Sequence, residues 1–379
     1  MISISVPGKL MLAGEWSVLQ KGNPCIVASV GRYVSVTISK SDIFFLYAKD
    51  YDIKTTFQWN KDQIIFEKQF EKLNFVKKVL EVVFKYFKEQ KITINTFSLD
   101  INSSEFLLDG KKLGLGSSAA VVVGVISAII KFHGYYVEYP VRPEPVDASV
   151  EALAKSEGFL RSGYVSKKTI FKLACIAHFY AQGKVGSCFD VAASAFGCVL
   201  WYERFDEEWL LKQLDDKFSL SEIVSKKWPG LEINKIDFPK NLKMLVGYVG
   251  YSADTKSFVK KVRNVLQTRI GKLWCLQVNE VVIYLRRAFE NNDTEKVFKL
   301  FNENRILLKK LSEMSGVELE TKDLNTLIRT ANECGVAAKF SGAGGGDCGI
   351  AFCEDDYTAM RVRDVWKENG IIPLDLKFN

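Results

Sequence analysis

Histidine is scarce in this sequence, and cysteine never occurs in the spacing that binds zinc. The chain has 379 residues with only two histidines and eight cysteines, and no two cysteines form a C-x-x-C pair. A structural zinc site needs four thiolates or imidazoles close together, so these absences argue against one. The scattered cysteines instead predict free thiols, which are typical of a reducing, cytoplasmic compartment.

Long apolar segments are missing as well. The longest apolar run, about residues 119–130, is well short of the roughly 20 residues that a membrane-spanning helix needs. The first residues, Met-Ile-Ser-Ile-Ser, lack the charged start and apolar core of a secretory signal. We therefore expect a cytoplasmic protein with no membrane contact.

Charge of one sign is not concentrated anywhere in the chain. Lys and Arg number 52 against 45 Asp and Glu, which gives a net charge of +7, and the basic residues are spread along the sequence. A nucleic-acid-binding surface typically has clustered basic residues interleaved with aromatic ones, so we expect no nucleic-acid partner. Mild, dispersed basicity fits small anionic substrates equally well.

Hydrophobic periodicity predicts a mixture of helices and strands. Residues 72–89 place apolar side chains at helical spacing with lysines opposite, which predicts an amphipathic helix that packs on a core. Further helices are predicted near residues 167–182, 255–270, 274–291, 294–314, 322–334 and 356–369. Strands are predicted at residues 34–38, 97–101, 245–249, 337–341 and 349–352. This alternation predicts an α+β or α/β fold.

The stretch KKLGLGSSAAV, residues 111–121, combines glycines, serines and the start of an apolar helix. Uncovered N–H groups at a helix N-terminus bind anions, and glycines let a phosphate approach the backbone. A serine hydroxyl there also reaches a divalent metal. The spacing matches neither the Walker loop nor the dinucleotide-binding fingerprint. The pattern predicts a phosphate-binding loop at residues 113–118; the alternative is a serine-capped glycine turn before a core helix.

A second glycine-rich stretch, SGAGGGDCG, occupies residues 341–349. Glycine in ordered structure carries an entropic cost, so four glycines within five residues indicate that the backbone approaches a ligand here. A simple hairpin turn needs fewer glycines and is the alternative.

Two further stretches place charged residues beside glycine. Lys9 follows Pro7-Gly8 at a predicted strand start, and Glu15 follows Gly14 at the strand end, which puts a cation and a carboxylate near one pocket. The alternative is an exposed lysine beside a turn. Asp190, within GSCFDVAAS, lies at a predicted helix start, where it is either a helix cap or a catalytic carboxylate.

Taken in order, these four stretches resemble the GHMP kinase superfamily. The PGK…AGE stretch, the central GLGSSAA loop, the FDVA stretch and the C-terminal SGAGGGD loop match its motifs, and the match extends from residue 7 to the C-terminus. The usual proline before the central loop is absent. Within the superfamily, the chain is most similar to the phosphomevalonate kinase branch. The similarity rests on the absence of this proline, on residues 7–38 and 201–233, and on the stretch SGAGGGDCGIAF at residues 341–352.

The resemblance implies a two-lobed α+β fold with ATP and an acceptor bound between the lobes. Residues 1–200 would form an S5-domain-2-like nucleotide lobe with a left-handed βαβ unit. Residues 201–379 would form a ferredoxin-like lobe with an insertion at about 201–240. The implied reaction transfers the γ-phosphoryl group of ATP to 5-phosphomevalonate in the mevalonate route to isoprenoids. It implies Mg²⁺, and we expect a monomer or homodimer.

The resemblance also assigns roles to individual residues. Lys9 would neutralise the transferring phosphate, and Asp190 would orient the acceptor. ATP would be bound by Lys112, Gly114, Leu115, Gly116, Ser117, Ser118 and Ala119, with Ser118 the preferred ligand of Mg²⁺ over Ser117. A phosphate loop of Gly344, Gly345, Gly346 and Asp347 would close on the triphosphate. The acceptor would be bound by Lys9, Glu15, Trp16, Ser187, Asp190, Ser252, Thr255, Ser341, Gly342 and Ala343.

Two residues near Asp190 stand out against this pattern. Cys188 occupies a position where the family has glycine. His178 lies one helical face upstream and is expected either to make a structural hydrogen bond or to contact the phosphate site.

Other functions stay open on the sequence alone. A mevalonate kinase, or another small-molecule kinase of this fold, would act on an alcohol and need no second set of cations for an acceptor phosphate. A nucleotide-binding sensor without turnover would keep the loops but not need Lys9 or Asp190.

Overall fold

The computed structural model describes residues 1–137, 163–183, 186–216, 218–252 and 255–378, without the side chains of residues 255–257. The strands of the first part of the chain are β1 (Ile2–Ala13), β2 (Pro24–Lys40), β3 (Phe45–Ala48), β4 (Ile53–Asn60), β5 (Gln63–Phe66), β6 (Phe97–Asn102), β7 (Leu107–Leu108), β8 (Lys111–Lys112), β9 (Tyr136–Val137), β10 (Tyr164–Val165), β11 (Val199–Glu203) and β12 (Glu232–Ile236). Eight of these strands form one sheet in the order β12-β11-β2-β6-β3-β4-β5, with β1 paired to β2. This sheet is the framework of the N-terminal lobe.

The helices of this lobe pack on the sheet and on one another. They are α1 (Asn74–Glu89), α2 (Ser117–Phe132), α3 (Lys167–Ala181), α4 (Phe189–Phe196), α5 (Glu207–Asp215) and α6 (Leu220–Ser225). In α1 the predicted periodicity is confirmed, because Val79, Leu80, Val83 and Phe87 are fully buried. Helix α2 is apolar almost all round and packs on β1 and β2, which holds its N-terminus beside β1.

Residues 199–236 belong to the N-terminal sheet. Strand β11 pairs with β2, and β12 pairs with β11. Helix α6 is tied to the same lobe, since Lys172 Nζ of α3 donates to the Val224 carbonyl at 2.7 Å. The segment predicted as an insertion of the C-terminal lobe therefore extends the N-terminal sheet, and we propose a lobe boundary near residue 240 in place of 200.

The C-terminal lobe is built on four antiparallel strands. They are β13 (Lys243–Tyr248), β14 (Ala337–Phe340), β15 (Cys348–Cys353) and β16 (Ile372–Leu374), in the order β14-β15-β13-β16. Its helices are α7 (Thr255–Gln267), α8 (Arg269–Glu290), α9 (Thr294–Ser315), α10 (Lys322–Glu333) and α11 (Asp356–Glu368). In chain order the sheet reads 2-3-1-4, which is the ferredoxin-like arrangement and confirms that prediction.

Two long-range connections complete the fold. Strands β3 and β6 are parallel neighbours joined through β4, β5 and α1; the left hand implied for such a crossover stays a prediction. At the far end of the chain, Lys377 accepts a hydrogen bond from Gly31 N at 2.8 Å. Within the described ranges, no helix combines the length and apolar character needed to cross a membrane.

Candidate active site

Lys9 lies inside β1, where the strand passes the central glycine loop. The register of β1 against β2 shifts between Pro7 and Gly8, so Lys9 is in the strand interior and not at its start as predicted. Its backbone N–H donates to Leu115 O at 2.8 Å, and its Nζ donates to Gly114 O at 3.0 Å. A side chain on Gly8 would meet Leu115 O at 2.7 Å. The Pro-Gly pair therefore lets β1 and the loop touch.

The N-terminus of α2 is uncapped by any side chain. The cap residue is Gly116, in a left-handed conformation with φ +81°, so the alternative of a serine-capped turn is wrong. Ser117 and Ser118 are half-buried, and their hydroxyls make no hydrogen bond within the described residues. The first N–H groups of α2, including that of buried Ala119, are free at the positive end of the helix dipole. The start of α2 therefore offers uncapped N–H donors beside two unbonded hydroxyls.

The second glycine-rich loop packs directly on the first. The left-handed Gly114 (φ +72°) touches Asp347, and a β-carbon there would lie 2.3 Å from Asp347 Cγ. On the same loop, Gly345 N donates to Leu319 O at 2.7 Å, and a β-carbon on Gly344 would meet that oxygen at 2.4 Å. Close approach to two neighbours explains part of the glycine density.

Ser341 and its neighbours bind the second loop to β1. Ser341 Oγ donates to Met11 O at 2.9 Å and accepts from Met11 N at 3.0 Å. Trp16 Nε1 donates to Ala343 O at 3.2 Å. Gly342 between them is left-handed, with φ +86° and open space around it. Ser341 and Trp16 are thus buried in contacts between the lobes.

The start of α4, which carries Asp190, lies beside Lys9. It is the second residue of α4, and its Oδ1 accepts from Val191 N at 2.9 Å. The cap residue of α4 is Cys188, so the interpretation of Asp190 as the cap is wrong. The side chain of Asp190 is 21% exposed, and the ring of the preceding Phe189 lies 5.8 Å from Lys9 Nζ. Lys9 thus contacts α4 through Phe189, the residue next to Asp190.

Cys188 adopts the backbone conformation that glycine favours. Its φ is +60°, a left-handed conformation that costs a non-glycine residue about 1–2 kcal/mol. The turn is fixed on its other side, because Tyr202 Oη donates to the carbonyl of Ser187 at 2.5 Å. The departure from the family pattern thus keeps the backbone geometry and adds a buried thiol next to Asp190.

Glu15 is in the interior, in an ion pair with Lys339. Both side chains are 0% exposed, and Lys339 Nζ donates to Glu15 Oε1 and, at 2.9 Å, to Phe340 O. Burial raises the pKa of Glu15 and lowers that of Lys339, while their attraction opposes both shifts. With no exposed surface for a substrate, Glu15 has a supporting position below the second loop.

The remaining predicted residues lie around Lys112. Exposed Lys112 accepts hydrogen bonds at its carbonyl from Ser252 Oγ at 2.6 Å and Tyr248 Oη at 3.2 Å. Thr255 begins α7, and its side chain lies outside the described part of the chain. Cys348 is buried, with Sγ donating to Leu113 O at 3.2 Å. Ser252 is therefore at the loop, but bonded to protein.

Comparison with known proteins decides the family. The family described as GHMP kinases C terminal matches residues 285–372. A phosphomevalonate kinase of Streptomyces sp. strain CL190 is 28% identical to this chain, over 98% of this chain and 95% of its own length. The chain contains a GHMP kinase C-terminal domain.

The full-length likeness of the chain to known proteins is not restricted to kinases of one acceptor. A mevalonate kinase of Thermococcus sibiricus is 26% identical over 99% of the chain and 95% of its own length. The structure of Streptococcus pneumoniae phosphomevalonate kinase in complex with phosphomevalonate and AMPPNP superposes with a TM-score of 0.82. It covers 100% of both chains at 24% identity, which establishes the two-lobed fold.

Proposed function

We propose that this protein transfers the γ-phosphoryl group of ATP to the terminal phosphate of 5-phosphomevalonate. A phosphate oxygen of the acceptor forms the new bond to the γ-phosphorus, and the bond to the β,γ-bridging oxygen breaks. ADP leaves with that electron pair, and the products are ADP and 5-diphosphomevalonate. The observation that best supports this is that Lys9 contacts the Gly114 loop before α2 and the start of α4 that carries Asp190, while the second glycine loop packs on Gly114.

The start of α2 is the proposed triphosphate site. Its free N–H groups, the hydroxyls of Ser117 and Ser118, and the exposed Lys112 offer hydrogen-bond donors to an anion. An unbonded, half-buried hydroxyl fits Mg²⁺, which prefers oxygen ligands and keeps several from phosphates and water. Ser118 would hold this ion, which neutralises phosphate charge when bound.

Substitution of Gly114 tests the contact between the two phosphate loops. Gly114→Ala forces a β-carbon into Asp347, so the loops must separate and KM for ATP is expected to rise about tenfold or more, roughly 1.4 kcal/mol. Gly110→Ala is the matched control, because Gly110 has nearly the same φ (+74°) but nothing within 4 Å. Equal KM values for the two variants in a coupled ADP assay would contradict the proposed loop contact.

Lys9 and Asp190 act on the transferring group and the acceptor. Phosphoryl transfer needs alignment and charge neutralisation more than a strong base. Lys9 Nζ, now on the Gly114 carbonyl, supplies a cation for the phosphoryl oxygens. Asp190 orients the acceptor; a phosphate oxygen is already anionic near neutral pH, so no proton has to be removed.

Local charge supports an acceptor that itself carries phosphate. Two anionic substrates repel nearby carboxylates, and the pairing of Glu15 with Lys339 removes one such charge from the vicinity. Lys111, whose Nζ donates to Gly250 O at 3.0 Å, and Lys112 add cations at the edge of the site. Full-length similarity to a phosphomevalonate kinase agrees with this acceptor.

The test is an ADP-release assay with MgATP and either 5-phosphomevalonate or mevalonate. We expect turnover on 5-phosphomevalonate alone, and a large loss of it in Asp190→Asn. Turnover on mevalonate alone would overturn the proposed acceptor and favour an alcohol kinase, as the similarity to mevalonate kinases allows. ATP binding with no turnover on either would favour the sensor.

We also propose a monomer or homodimer that works in the cytoplasm. All eight cysteines are free thiols, which fits a reducing compartment.

A further inference from the structure

His178 is the buried group closest to Asp190 whose polar atoms have no evident use. It lies in α3, its side chain is 2% exposed, and its Nε2 is 3.7 Å from Asp190 Oδ2. Within the described residues, neither ring nitrogen makes a hydrogen bond of regular geometry. Burying polar atoms without partners costs about 1–3 kcal/mol, so packing alone does not explain a histidine here.

The surroundings of His178 favour its charged form. The Asp190 carboxylate of α4 and the thiol of its cap residue Cys188 both face the imidazole. Cys175 of α3 contacts the Cys188 thiol, and the centroid of the Phe75 ring of α1 lies 5.2 Å from that of the imidazole. Burial lowers the pKa of His178, but Asp190 and then Cys188 outweigh it, so the pKa is raised overall. The contact with Cys175, and then His178, lowers the pKa of Cys188 to about 6.

The carboxylate of Asp190 has a different neighbour on each oxygen. Oδ1 accepts from Val191 N, a donor on its own helix that limits rotation of the side chain. Oδ2 faces His178 across 3.7 Å, a separation that gives Coulomb attraction without a hydrogen bond. The two contacts together select one orientation of a carboxylate that is otherwise open to the site.

We propose that His178 is a positioning residue for Asp190 in the phosphoryl transfer. This role rests on the proposed function, because Asp190 matters for turnover only if it orients the acceptor. His178 itself touches neither substrate: its ring is behind Asp190, within the lobe. Of the two alternatives left by the sequence, this role is closer to the one at the phosphate site, but His178 acts on Asp190 and does not contact phosphate.

The kinetic test uses His178→Phe and His178→Gln. Phenylalanine keeps the ring packing on Phe75 and loses the charge; glutamine keeps polar atoms but loses the charge too. We expect kcat with 5-phosphomevalonate to fall about tenfold in both, with KM for ATP unchanged and the melting temperature of His178→Phe retained. His133→Gln is the matched control, since His133 is the other histidine and bonds Asn95 N and Ile129 O away from the site; it should keep native kcat.

A pH profile separates positioning from packing. The native enzyme should lose kcat as pH rises past the raised pKa of His178, when the imidazolium loses its proton. This inflection should vanish in His178→Gln. Native kcat in both His178 variants, or an unchanged inflection, would overturn the proposal.

Histidine NMR tests the contact without relying on turnover. With two histidines in the chain, and His133→Gln to assign them, the titration of His178 can be followed alone. Asp190→Asn should move it to lower pH, and an unmoved titration would overturn the proposed pairing. A moved titration in a protein that does not turn over 5-phosphomevalonate would refute the proposed function and leave the pairing standing.

Discussion

Replacing Lys9 by methionine is expected to lower kcat about 10²–10³-fold, the range seen when one preorganised donor to transition-state charge is removed. Methionine keeps the unbranched apolar stem and removes only the ammonium. The folded structure should survive, because Nζ gives up one hydrogen bond to the Gly114 carbonyl. Steady-state kinetics at saturating ATP and acceptor measure the effect.

Two measurements delimit this expectation. Lys40→Met, at the exposed end of β2, has the same change in side chain and net charge and should leave kcat native. A Lys9→Met enzyme with kcat within about threefold of native would show that Lys9 is not the cation that meets the transferring group.

Replacing Lys339 by methionine is expected to destabilise the protein by about 3–5 kcal/mol. Removing one partner of a buried ion pair leaves the other charge uncompensated in the interior, and Glu15 is fully buried with Oε2 already lacking a hydrogen bond in the described structure. Denaturant unfolding followed by tryptophan fluorescence measures the loss.

The partner substitution distinguishes charge from packing. Glu15→Gln combined with Lys339→Met removes both charges, so the double variant should recover much of the stability lost in Lys339→Met. Lys367→Met, which breaks an exposed pair with Asp364, should leave the unfolding midpoint nearly unchanged. If Lys339→Met and Lys367→Met unfold alike, the buried pair does not stabilise the lobe contact.

Local sequence patterns predicted many of the helices and strands. The 3.6-residue periodicity of residues 72–89 predicted α1 because burial of one helix face leaves a direct imprint on sequence. Short apolar stretches at residues 245–249 and 349–352 predicted β13 and β15 for the same reason. Glycine-serine spacing predicted the open start of α2, since few other residues leave helix N–H groups uncovered.

Long-range partners left no such imprint. Nothing beside Glu15 pointed to Lys339, which is 324 positions away, so a carboxylate that pairs in the interior was predicted to meet substrate. Residues 201–236 were assigned to the wrong lobe because strand pairing with β2 is decided by the whole sheet. Cysteine itself gives no sign of positive φ, so only the glycine that the family has at this position pointed to the left-handed Cys188.

The contacts between β1 and the second glycine loop also constrain when the site comes into being. Met11 and Ser341, which bond to each other, are 330 positions apart. At about 5–20 residues per second, a ribosome needs about 15–65 s to add the later residue after the earlier one. Throughout that interval β1 lacks the second glycine loop, so the assembled phosphate site is a late product of translation. A nascent chain that ends before residue 340 would have only half of it.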